Sequence, residues 1–185
     1  LDLIWTGREL LGNLFGYEKA EFDSAYVAAD TVKMHEKAYI MRALLTDLDM
    51  LNAQHPFCTV DKWIDQAREF GQTPEVKDYY EMNARRLITT WGGDLNDYAV
   101  RNYSGLIANY HAKRWEIYID EAFRSVRTGT PFRDKERIKA TNEFQLSFAD
   151  KHGEQFPKYQ GIELLSFSRA LASKYATELQ SWLTK

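Results

Sequence analysis

Thr73-Pro74-Glu75-Val76-Lys77-Asp78-Tyr79-Tyr80-Glu81-Met82-Asn83-Ala84-Arg85-Arg86-Leu87-Ile88-Thr89-Thr90-Trp91-Gly92-Gly93 carries a helix start, a helical period and a stop. Thr73 suits an N-cap, Pro74 has its ring-fixed φ at the first helical position, and Glu75 places negative charge in the first turn. Val76, Tyr80, Ala84 and Leu87 recur at helical spacing and predict the inward face. Gly92-Gly93 ends the pattern near Trp91. The same grammar repeats on both sides. Upstream, a first helix is expected over roughly 2–28, with Leu3, Leu10, Leu11, Leu14 and Phe15 in register and Gly7, Gly12 and Gly16 as strained positions. Asp30 or Thr31 caps a second, with a stripe of Met41, Leu44, Leu45, Leu48 and Leu51, and His55-Pro56 ends it because the residue before proline is pushed out of the helical region. Thr59 or Asp61 opens a short third helix with Trp63, Ile64, Ala67 and Phe70 on one face, closed by Gly71.

Downstream, Asp94 to Asp97 are expected to restart a long helix. Its face reads Ala99, Tyr103, Leu106, Ile107, Tyr110, Trp115, Tyr118, Ala122 and Val126, as far as Thr128-Gly129-Thr130-Pro131. A sixth helix is expected from Asp134 to His152 and a last one over about 162–183. No strand alternation, hairpin signal or alignable internal repeat competes with this reading. The fold class is therefore all-α, an antiparallel bundle of about seven helices in a single domain spanning 1–185.

Composition agrees with that class. Ten Gly and four Pro in 185 residues are too few for a collagenous or turn-rich chain, and 14% aromatic residues are too many for a disordered one. Twenty-four basic against 27 acidic residues leave a net charge of −3, so no nucleic-acid partner is expected. No apolar run approaches the roughly 18 residues of a spanning helix, and no membrane partner is expected either. The lone Cys58 excludes an internal disulfide framework. Leu1-Asp2-Leu3-Ile4 opens inside an amphipathic pattern, without an initiator Met or a signal segment, which reads as a piece of a longer protein.

The common helical chemistries fail on spacing. No Glu is followed three positions later by His, as a di-iron bundle requires. His35-Glu36 has Tyr39 where a metalloprotease helix needs its second His. Four scattered His residues do not make a zinc site, so neither metal nor cofactor is expected. The basic clusters Arg85-Arg86, Lys113-Arg114, Arg124 with Arg127, and Arg133 to Lys139 are interleaved with acids and read as solvated, ion-paired faces. What stands out is Tyr79 to Trp115. Trp91, at a helix end before two glycines, either continues the Leu87 stripe into the core or stands clear to stack on the apolar face of a ligand such as a sugar. Asn83 and Arg85 are harder to place in a core; the planar fork of Arg85 suits a buried ion pair or a helix-to-loop clamp.

Glu81-x-Asn83-x-Arg85, Leu87-x-Thr89-x-Trp91-Gly92, Asp97-Tyr98-Ala99 and Gly105-Leu106-Ile107-Ala108-Asn109-Tyr110-x-x-x-Arg114-Trp115 together resemble the C-terminal all-helical domain of glycoside hydrolase family 89, the alpha-N-acetylglucosaminidases. The likeness continues through Pro131-Phe132 and Asn142-x-Phe144-Gln145-Leu146 to Phe156-Pro157, and more weakly back to Asp2-Leu3 and Arg8. It implies that the chain is the last part of a larger retaining exo-glycosidase. In that family the two catalytic glutamates sit on a (β/α)₈ barrel, which is absent here, so no catalytic residue is assigned to this chain. The implied partners are that barrel, from the same polypeptide, and a glycan with terminal N-acetylglucosamine. Trp91 and Asn83 become candidate substrate contacts, and Arg85, Arg114, Asp97 and Tyr98 candidate structural or interdomain residues. The implied location is exported or periplasmic in a bacterium and lysosomal in an animal. One departure stands beside the candidate site. Between Trp91-Gly92 and Asp97-Tyr98 the chain is about two residues shorter than the animal form, with Gly93 in place of its proline. Two readings from other classes compete: a freestanding helical module binding a protein partner through an aromatic groove, and a carbohydrate-binding module acting alone.

Overall fold

Helices α1 (Asp2–Val27) and α2 (Thr31–Asn52) form the antiparallel pair on which the rest is built in the computed structural model, which describes residues 1–91, 101–154, 156 and 162–184. Ile4, Leu11, Leu14, Phe15, Phe22 and Ala25 of α1 are buried with Met34, Ala38, Met41, Leu44, Leu48 and Leu51 of α2, the i, i+3, i+4, i+7 stripe of facing helices. Leu3 and Leu10, expected in the stripe, lie outside it and are exposed. The turn between the helices closes with Ala29 left-handed (φ 54°), and the Asp30 carboxylate caps α2 by accepting from the Lys33 amide at 3.0 Å. Gly7 has a packing reason: a Cβ there would lie 2.8 Å from Leu51 Cδ2, so glycine lets the helices approach.

A 3₁₀ turn (Pro56–Cys58) leads into α3 (Val60–Arg68) and α4 (Pro74–Leu87). A π turn (Ile107–His111) runs into α5 (Ala112–Thr128), followed by α6 (Asp134–Ala149), α7 (Leu164–Lys174) and α8 (Ala176–Leu183). The all-helical bundle is as the periodicity implies, with eight α-helices among the described residues. No strand forms among them; a single parallel bridge joins Thr59 to Ser104. Helix α5 lays Trp115, Tyr118, Ile119, Ala122 and Phe123 over the α1–α2 pair, with Phe15 and Trp115 ring centroids 5.0 Å apart. A smaller cluster of Val60, Ile64, Ile88, Leu106, Tyr110, Phe148 and Phe156 fills the space among α3, α4, the π turn and α6.

Four expectations are corrected. The long fifth helix does not run unbroken into α5, because 101–105 is not helical. Ser104 pairs with the Cys58–Val60 backbone, Gly105 is left-handed (φ 83°), and helical structure starts after it. The sixth helix stops at Ala149, short of His152. The last helix breaks at Tyr175, whose buried side chain donates its hydroxyl to Asp47 at 2.6 Å while its backbone leaves the helical ψ. Phe70 lies beyond the end of α3 and is exposed. The expected restart at 94–97 itself, like Ala99 and the 92–93 stop, lies outside the described residues.

The α5–α6 connection is held by one carboxylate. Glu121 accepts from the Arg133 amide at 2.7 Å, from the Arg133 guanidinium at 2.9 Å and from Arg124 Nε at 2.9 Å. The Arg133 hydrogen bonds, then Arg124, lower the Glu121 pKa from an ordinary 4.5 to about 2. A depressed folded pKa means that the unfolded chain takes up protons first on acidification. The stabilisation is therefore complete above about pH 4.5 and is lost as pH falls towards 2. Burial acts oppositely on Glu18 and Asp49, whose carboxyls lie above their ordinary values. The expected result is that Glu121→Gln flattens the acid limb of stability against pH, measured by denaturant unfolding at pH 2.5 to 7. An unchanged acid limb would remove Glu121 as its cause.

Candidate functional site

Helix α4 starts as its sequence dictates, with the Thr73 hydroxyl accepting from the Val76 amide at 3.4 Å and Pro74 in the first turn. Its buried face is another matter. Val76, Tyr80 and Leu87 are exposed, and Glu81, Ala84 and Arg85 point inward. Arg85, with 0% of its surface exposed, gives Nε and Nη2 to Glu81 Oε1 at 3.0 and 2.8 Å. Its Nη1 reaches the Phe148 carbonyl at 3.4 Å and Glu154 Oε2 at 3.3 Å, and the guanidinium lies over the Phe148 and Phe156 rings at 5.0 and 5.2 Å. Glu81 Oε2 in turn accepts from Arg68 on α3 and from the Gly153 amide. An ion pair thus replaces an apolar stripe because every charge in it is matched and its fork ties α4 to the end of α6. Glu81 and Glu154 share Arg85 and both line a small pocket of about 220 Å³ with Asp61, Asp65 and Arg68.

Beyond Leu87 the chain turns tightly. The Thr89 hydroxyl donates to the Arg85 carbonyl at 2.6 Å, Thr89 and Thr90 are buried, and the Trp91 amide donates to the Arg86 carbonyl at 2.7 Å. Trp91 sits at φ 53°, a left-handed conformation that costs a bulky residue about 1–3 kcal/mol. Its side chain is 48% exposed. The path through Leu87 into the core is therefore not taken. A half-exposed ring thus sits just past the end of a helix whose buried face is clamped by Arg85, a position from which it can stack on the apolar face of a ring-shaped ligand.

Asn83 lies elsewhere on α4. Its amide donates to the Tyr79 carbonyl at 2.9 Å, and it lines a groove of about 520 Å³ between α3 and α4 with Trp63, Ala67, Phe70, Tyr80 and Leu87. Trp91 does not line that groove. Arg114, on α5, stacks over the Tyr110 ring at 5.3 Å and lines a separate pocket of about 390 Å³ with His111, Trp115, Tyr118 and Arg137. Asp97 and Tyr98 lie outside the described residues. One organising residue escaped the sequence reading. Asp49, buried in the last turn of α2, accepts from the Gly105 amide at 2.7 Å, the Ala108 amide at 3.0 Å and the Ser104 hydroxyl at 3.2 Å, and so caps the start of the π turn. Its only trace in the sequence is a carboxylate inside the Leu48 to Leu51 stripe.

Fold and site together define a helical module that presents a half-exposed aromatic ring just past the end of α4. The model of the alpha-N-acetylglucosaminidase (NAGLU) C-terminal domain matches residues 1–174, and the chain belongs to this family. It is similar to human alpha-N-acetylglucosaminidase, 29% identical over 178 residues, covering 94% of this chain and 24% of that protein. Its fold is similar to that of CpGH89 from Clostridium perfringens in complex with its substrate GlcNAc-alpha-1,4-galactose, with a TM-score of 0.79 at 23% identity over 91% of this chain and 20% of that one. The family 89 glycoside hydrolase of the same organism in complex with 2-acetamido-1,2-dideoxynojirmycin matches equally, with a TM-score of 0.79 and 23% identity. The chain spans about a quarter of the length of the human relative and a fifth of the solved chains.

Proposed function

We propose that this chain is the C-terminal helical module of an alpha-N-acetylglucosaminidase, packing on a catalytic barrel and forming one wall of the pocket that releases terminal alpha-linked N-acetylglucosamine. The observation that carries the reading is Trp91, held half-exposed in a strained conformation at the clamped end of α4. Strain of this kind persists where the surroundings over-determine it and clusters at ligand-facing sites. Retaining glycoside hydrolysis needs two carboxyls about 5–5.5 Å apart across the scissile bond. In this reading the barrel supplies both, and the module's own residues bind and position: Trp91 covers a sugar face and excludes water, and Glu81 and Arg85 keep the helix beneath it rigid. Asn83, with its amide committed to Tyr79, contributes through the α3–α4 groove rather than beside Trp91. The expected location is exported or periplasmic in a bacterium and lysosomal in an animal.

The test is an assay of the 185-residue chain beside the complete gene product on an aryl alpha-N-acetylglucosaminide. Turnover is expected from the gene product alone. Turnover by the isolated chain, or none by the gene product, would sink the reading. The apolar α3–α4 groove favours a second one, a helical interaction module, which predicts micromolar or tighter binding of a partner peptide by the isolated chain.

A further inference from the structure

We propose that the pocket enclosed by α1, α2 and α8 binds a hydroxylated primary amine, its ammonium held between the carboxylates of Glu18 and Glu178. The pocket has a volume of about 470 Å³. Glu18 and Glu21 line it from α1, Lys33, Glu36 and Lys37 from α2, and Glu178 from α8. Glu18 is the residue that calls for a ligand. It is 0% exposed, yet its Oε1 has no hydrogen-bond partner, and neither has the buried Oε2 of Glu178 on the α8 wall. A buried carboxylate oxygen is normally matched by a donor, and leaving one unmatched is costly. Burial raises the Glu18 carboxyl above its ordinary value; Lys37 opposes this, and the charges of Glu178 and Glu21 add to it.

The pocket's own cations do not answer this demand. Lys33 is bound to Glu21 at 3.0 Å, and Lys37 is shared between Glu18 Oε2 at 3.1 Å and Glu36 at 3.3 Å. Four carboxylates thus face two lysines, an excess of negative charge that a bound cation removes. A metal ion does not fit, because no group of three metal-ligating side chains comes together among the described residues. An ammonium does: it donates three hydrogen bonds in separate directions and accepts none. Glu18 Oε1 and Glu178 Oε2 take two of them, both charge-assisted. The hydroxyls of Tyr17, Thr177 and Ser181 also line the walls and suit a hydroxylated stem better than an apolar one. The α8 wall lies beyond the residues 1–174 that the family model matches, and the pocket shares no lining residue with the Trp91 turn or the Glu81–Arg85 clamp. It is therefore independent of the glycosidase reading.

The test is calorimetric titration of the complete gene product at neutral pH with glucamine, a hydroxylated amine, and with sorbitol, which carries a hydroxyl in place of the ammonium. Glucamine is expected to bind in the millimolar range or tighter, and sorbitol about tenfold more weakly or not at all. Glu18→Gln and Glu178→Gln keep the side-chain shape and remove the charge, so each should weaken glucamine by about tenfold or more. Glu143→Gln, which neutralises an exposed carboxylate on α6, should leave binding within about twofold. Circular dichroism checks each variant's fold, and the half-buried Glu178 keeps the test open where Glu18→Gln unfolds the chain. No binding of glucamine overturns the proposal and leaves a proton shared by the two carboxyls as the answer to their burial. Equal binding of sorbitol, or glucamine binding that neither glutamine variant in its folded form weakens, overturns it as well. The readout is binding, so the result stands whether or not the gene product hydrolyses an alpha-N-acetylglucosaminide.

Discussion

Arg85→Leu is expected to destabilise the fold by about 3–5 kcal/mol, the range for breaking a buried ion pair by removing one partner. For a chain of this size, at about 2–4 °C per kcal/mol, that lowers the melting temperature by roughly 6–20 °C. Leucine fills part of the volume between Phe148 and Phe156 but donates nothing. Glu81 keeps Arg68 and the Gly153 amide, yet Oε1 loses both of its Arg85 hydrogen bonds at full burial. The Phe148 carbonyl, at the end of α6, loses its guanidinium donor as well. Arg86→Leu is the matched control. That side chain bridges Asp150 at 2.7 Å in a partly exposed position, where an ion pair contributes at most about 1 kcal/mol. The double change Glu81→Leu/Arg85→Leu should cost less than Arg85→Leu alone, because it strands no carboxylate. Denaturant unfolding of the three variants beside the unmodified chain decides it; a loss under about 1 kcal/mol for Arg85→Leu would mean that the pair does not hold α4.

The sequence marked helix ends where a capping residue, proline or glycine stands, but it misjudged which way α4 faces. Proline, glycine and the capping residues act locally, so Asp30, Thr73 and Gly129 do in the structure what their chemistry requires. Facing is a tertiary property. The stripe of Val76, Tyr80 and Leu87 is real in spacing, but α3 and the end of α6 offer α4 cation and carboxylate partners, so the Glu81–Arg85 ridge turns inward and the aromatic ridge outward. Glu81 and Arg85 stand four residues apart, and nothing local distinguishes a buried pair from a surface one. The start of helical structure after Gly105 depends on Asp49, more than fifty residues earlier, and the break at Tyr175 on Asp47. Neither carboxylate carries a sequence signal for its distant partner. Of the candidate site, the position of Trp91 before two glycines was legible; its left-handed backbone was not, because that follows from the turn closed by Arg86. Asn83 shared a motif with Arg85 but occupies a different groove.

The claim that Trp91 walls a sugar pocket is tested most directly by kcat/KM of the complete gene product on an aryl alpha-N-acetylglucosaminide. A buried aromatic wall contributes on the order of 1.5–3 kcal/mol, so Trp91→Ala should lower kcat/KM by about 10- to 100-fold. Trp91→Phe should recover most of that loss, because a ring remains to stack. Trp91→Gly separates stacking from backbone strain: glycine adopts φ 53° without the Cβ clash that alanine keeps, so it should be more stable than the alanine variant and as impaired. Activity within twofold of the unmodified enzyme for Trp91→Ala and Trp91→Gly, with the fold intact, would contradict the account.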